Sequence, residues 1–286
     1  MLLFVDNLAT VDFSFLDARR GLLGETWLAD IQLEGALDEQ GMVCDFGIVK
    51  KRLKVWLDEE LDHRLLVPLR SPQLTLKENG DQLDLHWRFG DREETIHLRC
   101  PRQAVALVDA EELTRESVAK WCIERLDQAS LFPAHTQLNL AFTTEHIDSA
   151  FYHYSHGLKK HEGNCQRIAH GHRSKIAIWA DDIGSPALEN EWASRLRDIY
   201  LGTREDLVDE PEGGDYCRFA YSAPQGEFEL TLPRRCCYLM DTDTTVELIA
   251  DHIARETQAE YPTSRIRVQA YEGLNKGAIA VADSTG

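Results

Sequence analysis

Apolar and polar residues alternate in the first part of the chain, most clearly from Val11 to Phe15 and from Trp27 to Leu33. A period of two is typical of β-strands with one buried face, so we predict a hairpin over residues 1–34. After Asp45, whose side chain can cap a helix, apolar residues recur every three or four positions. This change of period predicts a helix that follows Asp45 and ends at residues 62–63.

The order of strand-like and helix-like patterns then occurs a second time. Short matching segments, Trp87-Arg88-Phe89 and Cys217-Arg218-Phe219, support a repeat. We therefore predict an α+β chain of two tandem units, residues 1–145 and 146–286, each with an antiparallel sheet that has helices packed on one face. The remaining predicted elements are a hairpin at 73–100, a helix at about 110–128, a strand at 136–144, a strand pair at 147–156 and 172–180, a helix at 186–201, a hairpin at 216–232, a helix at 244–258, and strands at 264–272 and 277–283.

Composition and charge narrow the class of protein. With 43% hydrophobic and 28% charged residues and a mean hydropathy of -0.37, the 286 residues are typical of a globular protein. No apolar run is long enough to span a membrane, and the first residues lack the pattern of a signal peptide. The net charge of -18 argues against nucleic acid as a partner, although a local basic pocket could still bind an anion. Seven cysteines without a Cys-x-x-Cys motif fit a reducing compartment, so we expect a cytoplasmic protein.

Three histidines stand at positions that suit a metal site. His170 and His172 are two residues apart in a predicted strand, so both imidazoles project from one face. His156 ends the alternating run Tyr152, Tyr154, His156 on the neighbouring predicted strand and would supply a third nitrogen. Three imidazoles can bind zinc and leave a fourth position open for substrate or water, as catalytic zinc sites do.

Cys165 precedes this histidine pair by a few residues, and its role has two interpretations. Beside a metal or a charged imidazole, its thiolate would be favoured, and it could act as a nucleophile or base. Alternatively, it is the fourth ligand of a closed structural zinc site, which would remove its chemistry. A chance cluster of histidines is a third reading, and the motif alone does not decide among them.

The two predicted copies differ where the chemistry lies. When they are aligned, the first copy has Asp17 at the position of His156 and Leu23-Gly24-Glu25 at that of His170-Gly171-His172, so it lacks the metal ligands. Conversely, the helix predicted over 186–201 has no counterpart of Leu61-Asp62-His63. This exchange predicts one composite site built from both halves.

Taken together, these motifs resemble those of the 6-pyruvoyl-tetrahydropterin synthase and 6-carboxytetrahydropterin synthase family, enzymes of the tunnelling fold. The resemblance covers nearly the whole chain in two pieces. It rests on Cys165 before His170-Gly171-His172, Ser155-His156, Asp45-Phe46, Leu61-Asp62-His63, Thr244 to Glu247, and Glu272 shortly before Gly277.

The resemblance implies a role for each site residue. His156, His170 and His172 would bind zinc, and Glu272 would anchor the pterin by accepting hydrogen bonds from its N–H groups. Cys165 would transfer protons together with Asp62 and His63, which in the family come from the neighbouring subunit. The resemblance also implies that the sheets join those of other chains into a barrel, so a homo-oligomer is expected.

The implied activity is that of a zinc-dependent lyase acting on the small molecule 7,8-dihydroneopterin triphosphate. We favour a 6-carboxytetrahydropterin synthase of the queuosine and 7-deazaguanine route. The spacing from Cys165 to His170 does not decide the product, so a 6-pyruvoyl-tetrahydropterin synthase is the alternative. A noncatalytic pterin-binding or structural protein with a closed zinc site is the alternative from another class. Lys159, Lys160 and Arg173 are candidate contacts for the triphosphate.

Overall fold

The computed structural model describes residues 1–129, 132, 136–209 and 214–284. The first half contains β1 (Leu2–Asp17), β2 (Gly21–Gly35), α1 (Phe46–Glu60), β3 (Leu65–Pro68), β4 (Leu74–Asn79), β5 (Gln82–Phe89), β6 (Glu94–Pro101), β7 (Val105–Val108), α2 (Arg115–Gln128) and β8 (Thr136–Thr143). The second half contains β9 (Phe151–His156), β10 (His170–Ala180), β11 (Ile183–Gly184), α3 (Pro186–Arg195), β12 (Ile199–Thr203), β13 (Leu207–Asp209), β14 (Tyr216–Ala223), β15 (Gly226–Pro233), β16 (Cys237–Met240), α4 (Val246–Glu260), β17 (Ile266–Tyr271) and β18 (Gly277–Ala282).

Two large sheets follow the same plan. Their strand orders are β7-β3-β1-β2-β8 and β16-β12-β9-β10-β17-β18, with the short β11 paired to β10. In each sheet a central antiparallel hairpin has two parallel strands on one side and an antiparallel strand on the other. The class is therefore α+β, and the common order agrees with the predicted repeat. The unit boundary at 145/146 and the assembly of a barrel stay predictions.

A third sheet joins the two halves. Its order is β13-β14-β15-β6-β5-β4, so the hairpins inserted in each half pair with each other through β15 and β6. Leu230 lies opposite Leu98 in this pairing, and both side chains are buried. Because backbone hydrogen bonds and apolar side chains cross from one half to the other here, this sheet fixes the relative position of the two halves.

The helices are confirmed, with shifts at their ends that have local causes. Helix α1 begins where predicted, because the Asp45 side chain accepts a hydrogen bond from the Ile48 N–H at 3.2 Å. Helix α2 begins later than predicted, because Thr114 and Ser117 form a capping box. No helix in the described residues is both long enough and apolar enough to cross a membrane.

The helix predicted over 186–201 is wrong in its last part. Helix α3 ends at Arg195, and Ile199–Thr203 forms strand β12 instead. The backbone of Asp198 has a φ of +58°, a left-handed conformation that a continuing helix cannot contain. Strands β3, β7, β12 and β16 were not predicted, because short apolar runs in buried parallel strands show no period of two.

The two large sheets meet face to face where β2 crosses β10. A Cβ atom added to Gly24 would lie 1.8 Å from the Tyr154 carbonyl oxygen, and one added to Gly171 would lie 2.7 Å from the Gly24 Cα atom. Beside these glycines, the hydroxyl groups of Ser14 and Ser155 hydrogen-bond at 2.7 Å. Only residues without a side chain allow this approach, which brings the residues of both halves into one site.

Candidate active site

The three predicted metal ligands lie together in the interior. Strands β9 and β10 pair so that His156 is directly opposite His170, and His172 follows two positions along the same face. Their exposed fractions are 0%, 1% and 0%. The ring centroid of His156 lies 4.4 Å from that of His170 and 5.3 Å from that of His172. The alternation that predicted a common face is therefore confirmed.

Hydrogen bonds orient two of these imidazoles, and a carboxylate faces the third. His156 Nδ1–H donates to the Thr244 carbonyl oxygen at 2.9 Å, and His170 Nδ1–H donates to the Arg167 carbonyl oxygen at 2.8 Å. His172 Nδ1 lies 3.3 Å from Asp12 Oδ1. Such partners fix the ring orientation and leave Nε2 as the ligand atom, as in known metal sites.

The chemistry of this donor set fits a metal ion. Within the described residues, His156 Nε2 and both ring nitrogens of His172 are buried without a hydrogen-bond partner. An unpaired buried polar atom costs about 1–3 kcal/mol, and a metal ion would remove that cost. Burial also lowers the pKa of His156 and His170 well below the ordinary value, so both are neutral, the form that binds metal.

Asp62 and His63 reach this cluster from the first half of the chain. The His63 backbone has a φ of +55°, and its N–H donates to the Asp12 carbonyl oxygen at 2.6 Å. Asp62 accepts the Asp12 N–H at 2.8 Å with Oδ1 and a short hydrogen bond from His63 Nδ1–H with Oδ2. Burial lowers the pKa of His63, but hydrogen bonds to Asp62 and Cys165 outweigh it and raise the pKa to about 10.

The Cys165 thiol lies beside His63 and at one side of the histidine cluster. It stands in a short 3₁₀ turn, Gly163–Gln166, that precedes β10. The ligand atoms of Cys165, His63 and His170 all lie within 4.8 Å of one another, whereas His156, His170 and His172 form a separate group of this kind. The thiol therefore neighbours the Asp62–His63 pair instead of completing the group of three histidines.

Glu272 is at the rim of the same site. It follows β17, and its Oε1 atom lies 3.8 Å from His172 Nε2. Its other carboxylate oxygen lies 3.5 Å from Lys276 Nζ. The side chain is partly buried, so one edge of the carboxylate remains available to a ligand.

Two site residues were not predicted, Asp12 and Lys276. Asp12 is buried on β1, where its Oδ1 accepts a hydrogen bond from the Thr26 hydroxyl at 2.6 Å and its Oδ2 lies 3.2 Å from Lys276 Nζ. Burial raises the pKa of Asp12, but His172, Lys276 and Thr26 outweigh it and hold the pKa well below its ordinary value. The signal in the sequence is a carboxylate and a serine, Ser14, at alternate positions of an apolar strand.

The cations that were candidates for the triphosphate are occupied elsewhere. Lys159 pairs with Asp206 at 2.6 Å, and Lys160 pairs with Glu205 at 2.9 Å. The Arg173 guanidinium lies 4.4 Å from the centroid of the Phe151 ring and donates to a backbone carbonyl oxygen. These side chains have protein partners, so this expectation finds no support in the structure.

Strand pairing corrects the alignment of the two copies. Ser14 pairs with Gly24 as Ser155 pairs with Gly171, so the position of His156 is held in the first half by Phe15 and not by Asp17. The parallel pairs Ser14 with Leu65 and Ser155 with Tyr200 make Asp62 and His63 equivalent to Arg197 and Asp198. The second half therefore has a structural counterpart of Asp62-His63, with different side chains.

Comparison with known proteins finds a family that part of the chain resembles. Residues 17–145 match the family model described as 6-pyruvoyl tetrahydropterin synthase. This segment of the chain is therefore similar to the 6-pyruvoyl tetrahydropterin synthase family. The matched residues include Asp62 and His63 but none of the three histidines of the cluster.

Members of this family with related sequences match only part of the chain. A putative 6-carboxy-5,6,7,8-tetrahydropterin synthase of Pyrococcus horikoshii is 33% identical over 103 residues, which are 36% of this chain and 56% of that protein. The Pyrococcus abyssi protein with the same description is 28% identical over 111 residues, 37% of this chain and 59% of that protein. The chain thus spans somewhat more than half the length of these relatives. The solved 6-pyruvoyltetrahydropterin synthase of Plasmodium vivax has 17% identity and a TM-score of 0.38, over 50% of this chain and 98% of that one.

Proposed function

We propose that this chain is a zinc-dependent 6-carboxytetrahydropterin synthase that acts on 7,8-dihydroneopterin triphosphate in the queuosine and 7-deazaguanine route. The observation that carries the proposal is the buried cluster of His156, His170 and His172, whose unpaired nitrogens adjoin the Asp62–His63 pair. The names of the Pyrococcus relatives support the choice of product class.

His156, His170 and His172 would hold the zinc ion. When bound, zinc would polarise the side-chain oxygens of the substrate and make the adjacent C–H groups more acidic. Asp12 faces His172 from the other half and would fix the orientation of its ring. The partners of His156 and His170 are backbone carbonyl oxygens, which would hold these two rings without adding charge.

His63 and Cys165 would move the protons of the reaction. Asp62 accepts the His63 Nδ1–H, so Nε2 is the atom that would exchange a proton with substrate. Cys165 lies next to this imidazole, so a proton could pass between thiol and ring as the substrate carbon is deprotonated or protonated. The first half would thus supply the acid–base pair and the second half the metal and the thiol.

Glu272 would anchor the pterin at the rim of the site. A carboxylate accepts two parallel hydrogen bonds from neighbouring N–H groups of a flat heterocycle. Lys276 contacts both Glu272 and Asp12, so it would hold the Glu272 side chain in place at the rim.

Product analysis tests the proposal. Zinc-loaded protein incubated with 7,8-dihydroneopterin triphosphate should yield a 6-carboxy product and acetaldehyde by mass spectrometry, and Cys165→Ala should abolish the product. Cys44→Ala, which changes a cysteine on another part of the surface, is the matched control. A 6-pyruvoyl product would establish the alternative synthase instead, and unchanged substrate with folded, zinc-loaded protein would refute both.

Thiol labelling separates the enzyme from a closed structural zinc site. If Cys165 transfers protons, it should react with a thiol reagent while zinc remains bound. A Cys165 that reacts only after zinc is chelated would be a zinc ligand, and the proposed role in proton transfer would be wrong.

We further propose that the chain forms a homo-oligomer through its sheet edges. Strand β18 forms one edge of the second large sheet, and Ile279 and Val281 on it are 60% and 41% exposed. An apolar edge strand invites pairing with another chain. Light scattering coupled to gel filtration should give a multiple of 32.6 kDa, whereas a monomer at that mass would contradict the proposal.

A further inference from the structure

A polar cavity of about 530 Å³ lies between the first large sheet, helix α2 and the third sheet. Within the described residues, its lining includes the guanidinium-bearing Arg64, Arg102 and Arg125, together with Gln103 and Gln225. These residues come from four separate parts of the chain and from both halves. The volume is within the range of small-molecule sites.

The guanidinium groups at this cavity lie close to one another. Arg64 and Arg102 both donate to the Val105 carbonyl oxygen, at 3.5 and 3.0 Å. Burial lowers the pKa of Arg64, and the charges of Arg102 and Arg125 lower it further. In a chain with a net charge of -18, this concentration of positive charge needs an explanation.

The acidic residues at the cavity do not neutralise the arginines completely. Glu60 is shared between Arg125 at 3.3 Å and Arg64 at 3.9 Å, and Asp81 is the second carboxylate of the lining. The buried Arg64 Nε–H has no hydrogen-bond partner within the described residues. A bound anion would pair this donor and relieve the repulsion among the three cations.

The cavity adjoins the candidate active site through Arg167. Arg64 directly follows His63 in the chain. Arg167 donates to the carbonyl oxygens of Asp62 and His63, both at 3.4 Å, and to the Gln225 side chain at 3.2 Å. Since Gln225 lines the cavity, the hydrogen bonds of Arg167 connect a lining residue with the backbone of Asp62 and His63.

We propose that this cavity is a binding site for a polyphosphate group, held by Arg64, Arg102 and Arg125. Planar guanidinium groups bind phosphate oxygens through paired hydrogen bonds, which suits a chain of phosphoryl groups better than a single small anion. The ligand is either the triphosphate of the substrate or a separate phosphorylated molecule. Only the first of these identifications rests on the proposed function.

Calorimetric titration tests the site independently of any activity. Zinc-loaded protein is titrated with tripolyphosphate in excess Mg²⁺, and its zinc content is measured afterwards to exclude chelation. We expect saturable binding that Arg102→Gln and Arg125→Gln each weaken about tenfold. Arg70→Gln, which removes an exposed arginine paired with Asp109 away from the cavity, should change the affinity less than about twofold.

Two results would overturn the proposal. The first is an absence of saturable binding to the wild-type protein. The second is an equal loss in all three variants, since that would reflect the overall charge and not the cavity. Circular dichroism shows whether each variant is folded. If Arg102→Gln does not fold, the affinity of Arg125→Gln tests the proposal instead.

Steady-state kinetics distinguish the two sources of the polyphosphate. If the substrate's triphosphate occupies the cavity, Arg102→Gln should raise KM for the triphosphate substrate about tenfold and leave KM for the dephosphorylated pterin unchanged. Magnesium tripolyphosphate should then compete with substrate. If a separate molecule occupies the cavity, KM should stay unchanged and tripolyphosphate should act without competing. Either kinetic result is consistent with a polyphosphate site in the cavity. If the chain shows no turnover, the calorimetric titration alone tests the site.

Discussion

Around Gly24 and Gly171 the chain builds two equivalent places with the same backbone and different chemistry. On one side, equivalent ladder positions hold His156, His170 and His172, and on the other they hold Phe15, Leu23 and Glu25. Because strand pairing is the same, the backbone alone does not make a metal site. The difference lies in three side chains on each side.

The neighbouring acid and imidazole show the same contrast. Asp12 faces His172 at 3.3 Å, and at the equivalent place His153 faces Glu25 at 3.9 Å. Burial raises the pKa of Glu25 to about 7 and lowers that of His153 to about 4, so near pH 7 His153 is neutral and Glu25 is only about half ionised. Asp12 stays ionised instead, because cations and a hydroxyl surround it. The second place thus has a geometry similar to that of the first, with less charge.

The largest effect should come from replacing His172, and the residue at the equivalent position in the first half, Glu25, is the comparison. We expect His172→Gln to lower zinc affinity and activity by more than about a thousandfold, because it removes one of three buried nitrogens, whereas outer partners alone account for about 10–100-fold. Glu25→Gln, the equivalent change in the other half, should leave both unchanged. Zinc content by atomic emission and turnover would check this, and a loss of zinc in Glu25→Gln would refute the assignment.

The acid–base pair gives the next test. Asp62→Asn should lower kcat about a thousandfold with zinc content unchanged, because an amide does not hold His63 in the required tautomer. The matched variant is Asp198→Asn, which removes the carboxylate at the position equivalent to His63, breaks its ion pair with Arg20 and should leave kcat unchanged. Equal losses of kcat in both variants would show that the residues act through folding and not through chemistry.

A smaller effect is expected for Asp12. Asp12→Asn should weaken zinc binding about 10–100-fold, because the carboxylate faces the His172 ring and holds its orientation. A competition titration with a zinc chelator measures this. His153→Gln, the counterpart on the other side, should bind zinc as the wild-type protein does. An unchanged zinc affinity in Asp12→Asn would exclude the orienting role.

The smallest effect concerns stability and its pH dependence. The folded-state pKa of Glu25, about 7, lies above the ordinary value of 4.5, so the native state binds this proton more tightly and loses stability as pH rises from 4.5 to 7. Glu25→Gln should therefore be more stable than the wild-type protein above pH 7 by up to about 3 kcal/mol, and similar to it below pH 4.5. Urea denaturation at both ends of this range measures the difference, and a constant difference would contradict the raised pKa.

Much of the fold and of the candidate metal site was predictable from the sequence. Period-two alternation placed the three histidines on one face, and the Asp45 cap located α1. The parallel strands β3, β7, β12 and β16 were not predictable in this way, because buried runs of four or five apolar residues have no distinguishing period. Asp12 was not predicted as a site residue, because the residues that it contacts lie far from it in the sequence.

The sequence by itself determined what was local, namely the strand and helix periods, the spacing of His170 and His172, and the excess of acidic residues. The tertiary structure alone decided which residues meet. It placed Asp12 and His63 beside the histidines. It showed that Phe15, and not Asp17, is equivalent to His156. It also brought Arg64, Arg102 and Arg125 together around one cavity. The physical reason is that these contacts depend on how two sheets cross at Gly24 and Gly171 and on how the inserted hairpins pair, and neither is encoded in any short stretch of residues.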